Sequence, residues 1–443
     1  MWYNRATGIM NPKFLFVLSV LLPASLFAAV ESIPPTNNPP LPRADAQGNP
    51  LRRAPTGHIS NYDESKVGSY TLPDPLVLQN GQPVRTADQW FKQRRPEIIK
   101  LYETEIYGRL PRHAPRLTFT VAETDRSALA GLAVRKHLVG HLGASHGPAI
   151  NLFLYLPANA TGPVPVLLHL TFSTVDPAMP APASTNSARS RPSEAGPLTN
   201  ILARGYGYAT VRYTELEGDS ASSNLTLARK LALAPNQTKP AADEWGTISV
   251  WAWGVSRVLD YLETDSAVDA RRVALIGHSR LGKTALWAGA LDTRFALVFS
   301  SCAGEMGSAL ARRDYGETVD DMAANFPWWF AGNFQKYSGH WNDMPVDAHM
   351  LIALNAPRPV FLTAGTQDQW ADPRGEFLAG VAAGPVYRLL GEKDLGATEG
   401  PPLDKPLITG AIGFLYHSGA HAILPEDWQT FFDFAERYLK PAP

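Results

Sequence analysis

Arg272-Val273-Ala274-Leu275-Ile276-Gly277-His278-Ser279-Arg280-Leu281-Gly282-Lys283-Thr284-Ala285-Leu286-Trp287 is the run from which the rest of the chain is read. Residues 273–276 are apolar and begin and end on β-branched residues, Gly277 breaks them, and a Leu-, Ala- and Lys-rich segment follows. That pattern predicts strand, sharp turn, helix. In an α/β-hydrolase such an elbow exposes a serine Oγ above the sheet and aims the next backbone N–H at a developing oxyanion, which makes Ser279 the candidate nucleophile. The usual elbow is G-x-S-x-G. Here Leu281 stands where the second glycine belongs and Gly282 follows one residue late, so these residues alone leave room for a plain buried serine in a βα turn.

The seven residues Gly277 to Lys283 resemble the G-x-S-R-x-G-K signature of the glucuronoyl methylesterases, carbohydrate esterase family 15, in which the late glycine is expected. The resemblance extends from about Asn61 to Tyr438. It implies a mostly parallel sheet in a three-layer α/β sandwich, and a serine esterase that hydrolyses 4-O-methyl-glucuronoyl esters linking xylan to lignin alcohols. It also implies that Arg280 stabilises the oxyanion and that Lys283 donates to sugar hydroxyls.

Composition sets the outer bounds. The chain has 443 residues, a net charge of −1 and 18% charged residues, which fits one large soluble domain with insertions and gives no field for nucleic acid. Cys302 is the single cysteine, so neither an intrachain disulfide nor a thiolate cluster can form. No histidine pair has the spacing of a metal motif, and neither metal nor cofactor is expected. Lys13, the apolar run 14–27 and Ala28-Ala29 read as a cleaved signal peptide over residues 1–29, too short for a span of about 20 residues. That reading implies a secreted or periplasmic protein with no stable membrane span, and a monomer is expected. Residues 30–60, rich in Pro, Asn and Arg, read as a linker before a single catalytic domain over 61–443.

In chain order the pattern predicts a helix over 87–102. Strands follow over 117–121, 133–138, 150–155 and 164–170, the last being the first parallel strand, and a further strand over 207–213. Thr171-Phe172-Ser173 stands where this fold often supplies a second oxyanion donor. Residues 177–196 read as a surface insertion beside the site mouth. Residues 243–262 read as a helix whose Trp245, Trp251 and Trp253 are more often core than ligand-binding. A strand over 295–301 leads to Cys302-Ala303-Gly304-Glu305. One branch of the family carries its acid in that loop, and Cys302 stands at the matching position here. Glu305 is three residues off.

The acid is therefore expected after the next strand, 359–364, at Asp368, with Asp372 as the competitor but better suited to a turn or helix start. In this fold the base follows the acid, which leaves His417 and His421. His421, in a Gly-x-His context before a final helix over 425–439, is preferred, and His417 is the alternative. His349 is out of order and reads as a loop support for Asp347. Trp370 is a candidate platform for a sugar face, and Phe326, Trp328, Trp329 and Phe334 a candidate cleft wall. Glu305 remains an uncertain candidate substrate contact. An acetyl or cinnamoyl xylan esterase, or a non-catalytic carbohydrate-binding protein on the same fold, are the competing readings. The first would give Arg280 no anionic acyl group to meet, and the second sits poorly with an intact Ser279, Asp368 and His421 set.

Overall fold

The computed structural model describes residues 40–144, 146–172, 176–178, 196–220 and 226–440. The signal-peptide reading, Ser173 and most of the insertion over 177–196 lie outside them. The strands are β1 (Leu117–Ser127), β2 (Ala133–Leu142), β3 (Ala149–Pro157), β4 (Val164–Thr171) and β5 (Gly207–Arg212), then β6 (Val268–His278), β7 (Leu297–Ser301), β8 (Val360–Gly365) and β9 (Ile412–His417). They form one sheet in the order β1-β2-β3-β5-β4-β6-β7-β8-β9. Pairing from β1 through β3 to β5 is antiparallel, and from β5 through β4 to β9 parallel. β4 is thus the first strand of the parallel set in chain order, as expected.

The parallel strands read as unbroken apolar runs because helices cover both of their faces. Val273 and Leu275 of β6 join one core with α1 (Thr247–Leu262), α2 (Arg280–Leu291) and α3 (Pro373–Leu389). Ala274 and Ile276, one residue out of phase, join the other with α4 (Pro425–Leu439) and Leu198–Ala203. The result is three layers with the ends of β6, β7, β8 and β9 following one another along one rim. Trp245, Trp251 and Trp253 are buried in the core.

Residues 41–60 differ from the linker expected. Turns at Gly48 and Gly57, both with positive φ, fold the segment back on itself through the bridges Ala44↔Pro50 and Arg53↔Ile59. His58 Nε2 lies 3.1 Å from Asp314, and the Thr56 hydroxyl donates to Asp320. The composition foretold little apolar burial, but polar contacts hold the segment to the domain instead. Boundaries also move by a few residues: α1 begins at Thr247, and the helical run from Ala87 continues through π-helical turns to Ile106.

Candidate active site

Ser279 sits between the last residue of β6 and the first of α2 with φ 58° and ψ −127°. An L-residue rarely adopts this region, at a cost of about 1–3 kcal/mol, and the surroundings must hold it there. Two glycines let them. A Cβ on Gly277 would stand 2.0 Å from the Leu281 carbonyl oxygen, so only glycine lets the turn close. A Cβ on Gly282 would meet Ser300 Oγ at 2.9 Å and Ala303 Cβ at 3.0 Å, so the late glycine lets α2 press against the end of β7 and the loop beyond it. Leu281 meanwhile points into the core. The Ser279 N–H donates to the Ser301 carbonyl at 2.8 Å, tying the elbow to β7.

His421 Nδ1 lies 2.5 Å from Asp368 Oδ2, with Asp368 buried and the His421 side chain 43% exposed. The two loops are interlocked: Gln367 N–H donates to the Gly419 carbonyl at 2.8 Å, and Gly419 N–H to Thr366 Oγ1 at 3.2 Å. Gly365 permits this approach, since a Cβ there would be 2.7 Å from the Gly419 oxygen. The His421 ring packs on that of His278, beside Ser279, with centroids 4.5 Å apart. Burial, with His421 nearby, pushes the His278 pKa well below the ordinary value, so His278 is a neutral neighbour. Asp368 thus holds one nitrogen of the His421 imidazole, and the ring packs on the histidine that precedes Ser279.

The competing residues lie elsewhere. Asp372 caps α3, accepting from Gly375 N–H at 2.9 Å, and pairs with Arg313 Nε at 2.8 Å. His417 is buried against Asp427. His349 bonds the Pro73 carbonyl rather than Asp347, which caps the helix Ala348–Ala353 and pairs with Arg312. Cys302 Sγ lies within 4.8 Å of the facing atoms of Asp368 and His421, but burial and the Asp368 charge push its thiol far above the ordinary range. It is packing beside the pair, with no thiolate to offer.

Arg280 is gripped from several sides. Its guanidinium pairs with Asp219 at 2.5 Å and lies 4.7 Å from the Trp329 ring centroid, 5.5 Å from Phe172 and 5.7 Å from Phe326. Trp328 and Trp329 donate their indole N–H groups to Asp219 at 2.9 and 2.6 Å, and Tyr213 its hydroxyl at 3.0 Å. Burial alone would raise the Asp219 pKa, but the Arg280 charge and the indole donors hold it below the ordinary carboxylate value. Arg280 is held in place by this frame, and among the described residues its buried Nε has no hydrogen-bond partner. Of the aromatic patch expected as a wall, Phe326, Trp328 and Trp329 frame this cation and its carboxylate, whereas Phe334 is buried in the core against Phe330. Asp219 was not foreseen, because no local motif marks the loop after β5.

Lys283 is buried and donates to the Ala303 carbonyl. Burial lowers its pKa, opposed by the nearby Glu317, Glu305 and Glu376. Burial raises Glu317 to about 7, opposed by the Lys283 charge and by a hydrogen bond with Trp370. Lys283, Glu317 and Trp370 therefore form one connected polar set beside the elbow. Arg52 of the folded-back segment covers the Trp370 ring at 4.7 Å. Glu317 was also missed, since Gly316-Glu317-Thr318 carries no signal by itself. Glu305 is fully buried with its pKa pushed far up, first by burial and then by Asp347 and Glu317. The Lys283 charge opposes this shift.

Comparison with known proteins gives this geometry a context. The family model for glucuronyl esterases of fungi matches residues 240–391. The carbohydrate esterase MZ0003 of an unknown prokaryotic organism is 42% identical over 401 residues, 86% of this chain and 92% of that protein. A solved structure described as a promiscuous CE15 esterase from the marine bacterial metagenome is 40% identical and covers 86% of this chain and 100% of that one, with a TM-score of 0.77. The chain belongs to carbohydrate esterase family 15. A second family 15 structure, the glucuronoyl esterase from Solibacter usitatus, is 42% identical over 85% of this chain and 100% of that one, with a TM-score of 0.79. As a member of this family, the chain is a carboxylic ester hydrolase on an α/β-hydrolase fold.

Proposed function

We propose that this esterase hydrolyses 4-O-methyl-glucuronoyl esters, with Ser279 as nucleophile, His421 as base and Asp368 as the orienting acid. Its natural targets are the ester links between glucuronoxylan and lignin alcohols, met after secretion. His421 takes the Ser279 proton as Oγ attacks the ester carbonyl, and Asp368 stabilises the imidazolium. The backbone N–H of Arg280, first in α2 and without an intrahelical acceptor, and its guanidinium meet the oxyanion. His421 returns the proton to the leaving alcohol, and water then hydrolyses the acyl-enzyme. Lys283, Glu317 and Trp370 receive the hydroxyls and face of the sugar.

The observation that carries this reading is the cation next to the nucleophile. Arg280 is pinned by Asp219 and aromatic rings, so it is preorganised where a uronoyl group would place its carbonyl. An acetyl or cinnamoyl ester would also form an oxyanion, but would bring no pyranose on the acyl side for Lys283, Glu317 and Trp370. The test is hydrolysis of benzyl glucuronate beside acetylated xylan and a galacturonate ester by wild type, Ser279→Ala and Arg280→Ala. Cleavage of the glucuronate ester, abolished in the first variant and reduced about 10²–10³-fold in the second, is expected. Acetyl release that survives Arg280→Ala with little uronate activity would overturn the substrate assignment.

A further inference from the structure

A cleft of about 320 Å³ opens beside the turn that carries Asp368, lined in part by Glu64, Tyr315, Gln369, Arg374 and Tyr416. Its volume is at the small end of ligand sites, which begin near about 300 Å³. We propose that this cleft is a second sugar compartment, which takes a neutral pyranose residue of the glycan that carries the ester. The inference rests on the uronoyl esterase reading for its link to catalysis, but its binding chemistry stands apart from it.

The cleft and the uronate pocket share a wall. Gly316, at φ +67°, packs so closely that a Cβ would be 2.5 Å from the Trp370 carbonyl oxygen and 2.6 Å from that of Gln369. The residues either side of it serve different compartments. Glu317 bonds with Trp370 and faces Lys283, whereas Tyr315 donates its hydroxyl to Gln369 Oε1 at 2.6 Å and lines the cleft. A chain of linked sugars would meet both.

The lining is already ordered. Gln369 Nε2 donates to the Thr366 carbonyl at 2.8 Å, which fixes the amide. Glu64 is held between Arg313 at 2.6 Å and Arg374 at 3.1 Å, and Arg313 also pairs with Asp372. Two carboxylates thus stand against two guanidiniums, and the site presents no net charge to select an ion. Two tyrosines with a fixed amide, a carboxylate and a guanidinium fork suit a ring that has apolar faces and hydroxyls at its edge. The aryl group of a lignin alcohol would use the tyrosines and leave the polar edge formed by Gln369, Glu64 and Arg374 unused.

The experiment uses the full chain with Ser279→Ala, so that nothing turns over, and titrates it calorimetrically with xylotetraose, methyl glucuronate and 3-phenylpropanol. Tyr416→Ala and, separately, the exposed Arg374→Ala are then added. Xylotetraose affinity should fall about fivefold to tenfold in each, with methyl glucuronate affinity unmoved. Absence of xylotetraose binding, or binding indifferent to both substitutions, would overturn the proposal. So would a loss confined to phenylpropanol, which would make the cleft an alcohol site. Benzyl glucuronate hydrolysis by the protein without these substitutions reports separately on the uronoyl reading. If that activity is missing while xylotetraose still binds through Tyr416 and Arg374, the catalytic reading fails and the compartment stands.

Discussion

Two histidine–aspartate pairs lie four residues apart at the end of β9 and have opposite surroundings. His421 meets Asp368 at 2.5 Å with its ring 43% exposed, and His417 meets Asp427 at 2.8 Å with side chains 1% and 0% exposed. Burial works against a charge on His417, yet Asp427 outweighs it and raises the pKa above the ordinary histidine value. Asp427 also accepts from the Leu424 N–H at 2.7 Å, so His417 and Asp427 bracket the loop that presents His421. On the mechanism proposed, the same two side chains are chemistry in one place and a staple in the other. Access to a reacting atom, and not the pair itself, separates them.

The sharpest way to break this comparison is to delete each pair in turn. His421→Ala should lower kcat by about 10⁴–10⁶-fold, and Asp368→Asn by about 10⁴-fold, with thermal melts close to wild type. Asp427→Ala should do the reverse: a buried charge left unpaired costs about 3–5 kcal/mol, seen as a large fall in Tm, while the folded fraction keeps turnover within about tenfold. A variant at Asp427 that melts normally but is inactive would mean the roles have been exchanged.

A third, smaller effect separates the cation from its frame. Asp219→Asn leaves the Trp328 and Trp329 donors an acceptor but removes the charge facing Arg280. It should raise KM for a glucuronate ester about tenfold while Arg280→Ala mainly lowers kcat, both read from initial rates. Equal changes in kcat and KM for the two variants would show that Asp219 acts only by keeping Arg280 in place.

The smallest expected effect is in pH. Burial lifts Glu376 to about 8, even though the Gly304 N–H and the Ser308 hydroxyl both donate to it. The folded chain keeps that proton between about pH 4.5 and 8, where the unfolded chain has lost it, so stability declines as pH rises through this window. His417 acts in the same direction: its contribution is complete below pH about 6.5 and is lost as pH rises through its raised pKa. Tm should therefore fall between pH 5.5 and 8.5. Glu376→Gln keeps an acceptor for both donors and should flatten part of that slope, and a slope unchanged in this variant would remove Glu376 as its source.

Much of the site's framework was legible because its signals are local. An elbow needs a glycine where a Cβ would strike a carbonyl, and Gly277 announces that in the chain. The order nucleophile, acid, base follows strand order, so Asp368 and His421 could be sought after β8 and before α4. Lys283 lies in the helix expected after the elbow, but its burial was invisible, because which flank of α2 is covered depends on the loop after β7. Asp219 and Glu317 left no trace, since each lies in an irregular loop far in sequence from the Arg280 or Lys283 it faces. The linker reading failed for a related reason: residues 41–60 are held by polar contacts to Asp314 and Asp320, and composition reports only apolar burial.

By itself, then, the sequence determined the strand–elbow–helix unit, the alternation that buries both faces of the parallel strands, and the residue types available for ester chemistry. These depend on backbone sterics and on the period of side chains along a strand, which neighbours along the chain dictate. The tertiary structure alone decided which of two histidine–aspartate pairs is exposed, which carboxylate clamps Arg280, and which buried acids gather around Lys283. Those outcomes depend on desolvation and on distances between loops from different strands. No stretch of sequence contains that information, because the loops become neighbours only when the sheet forms.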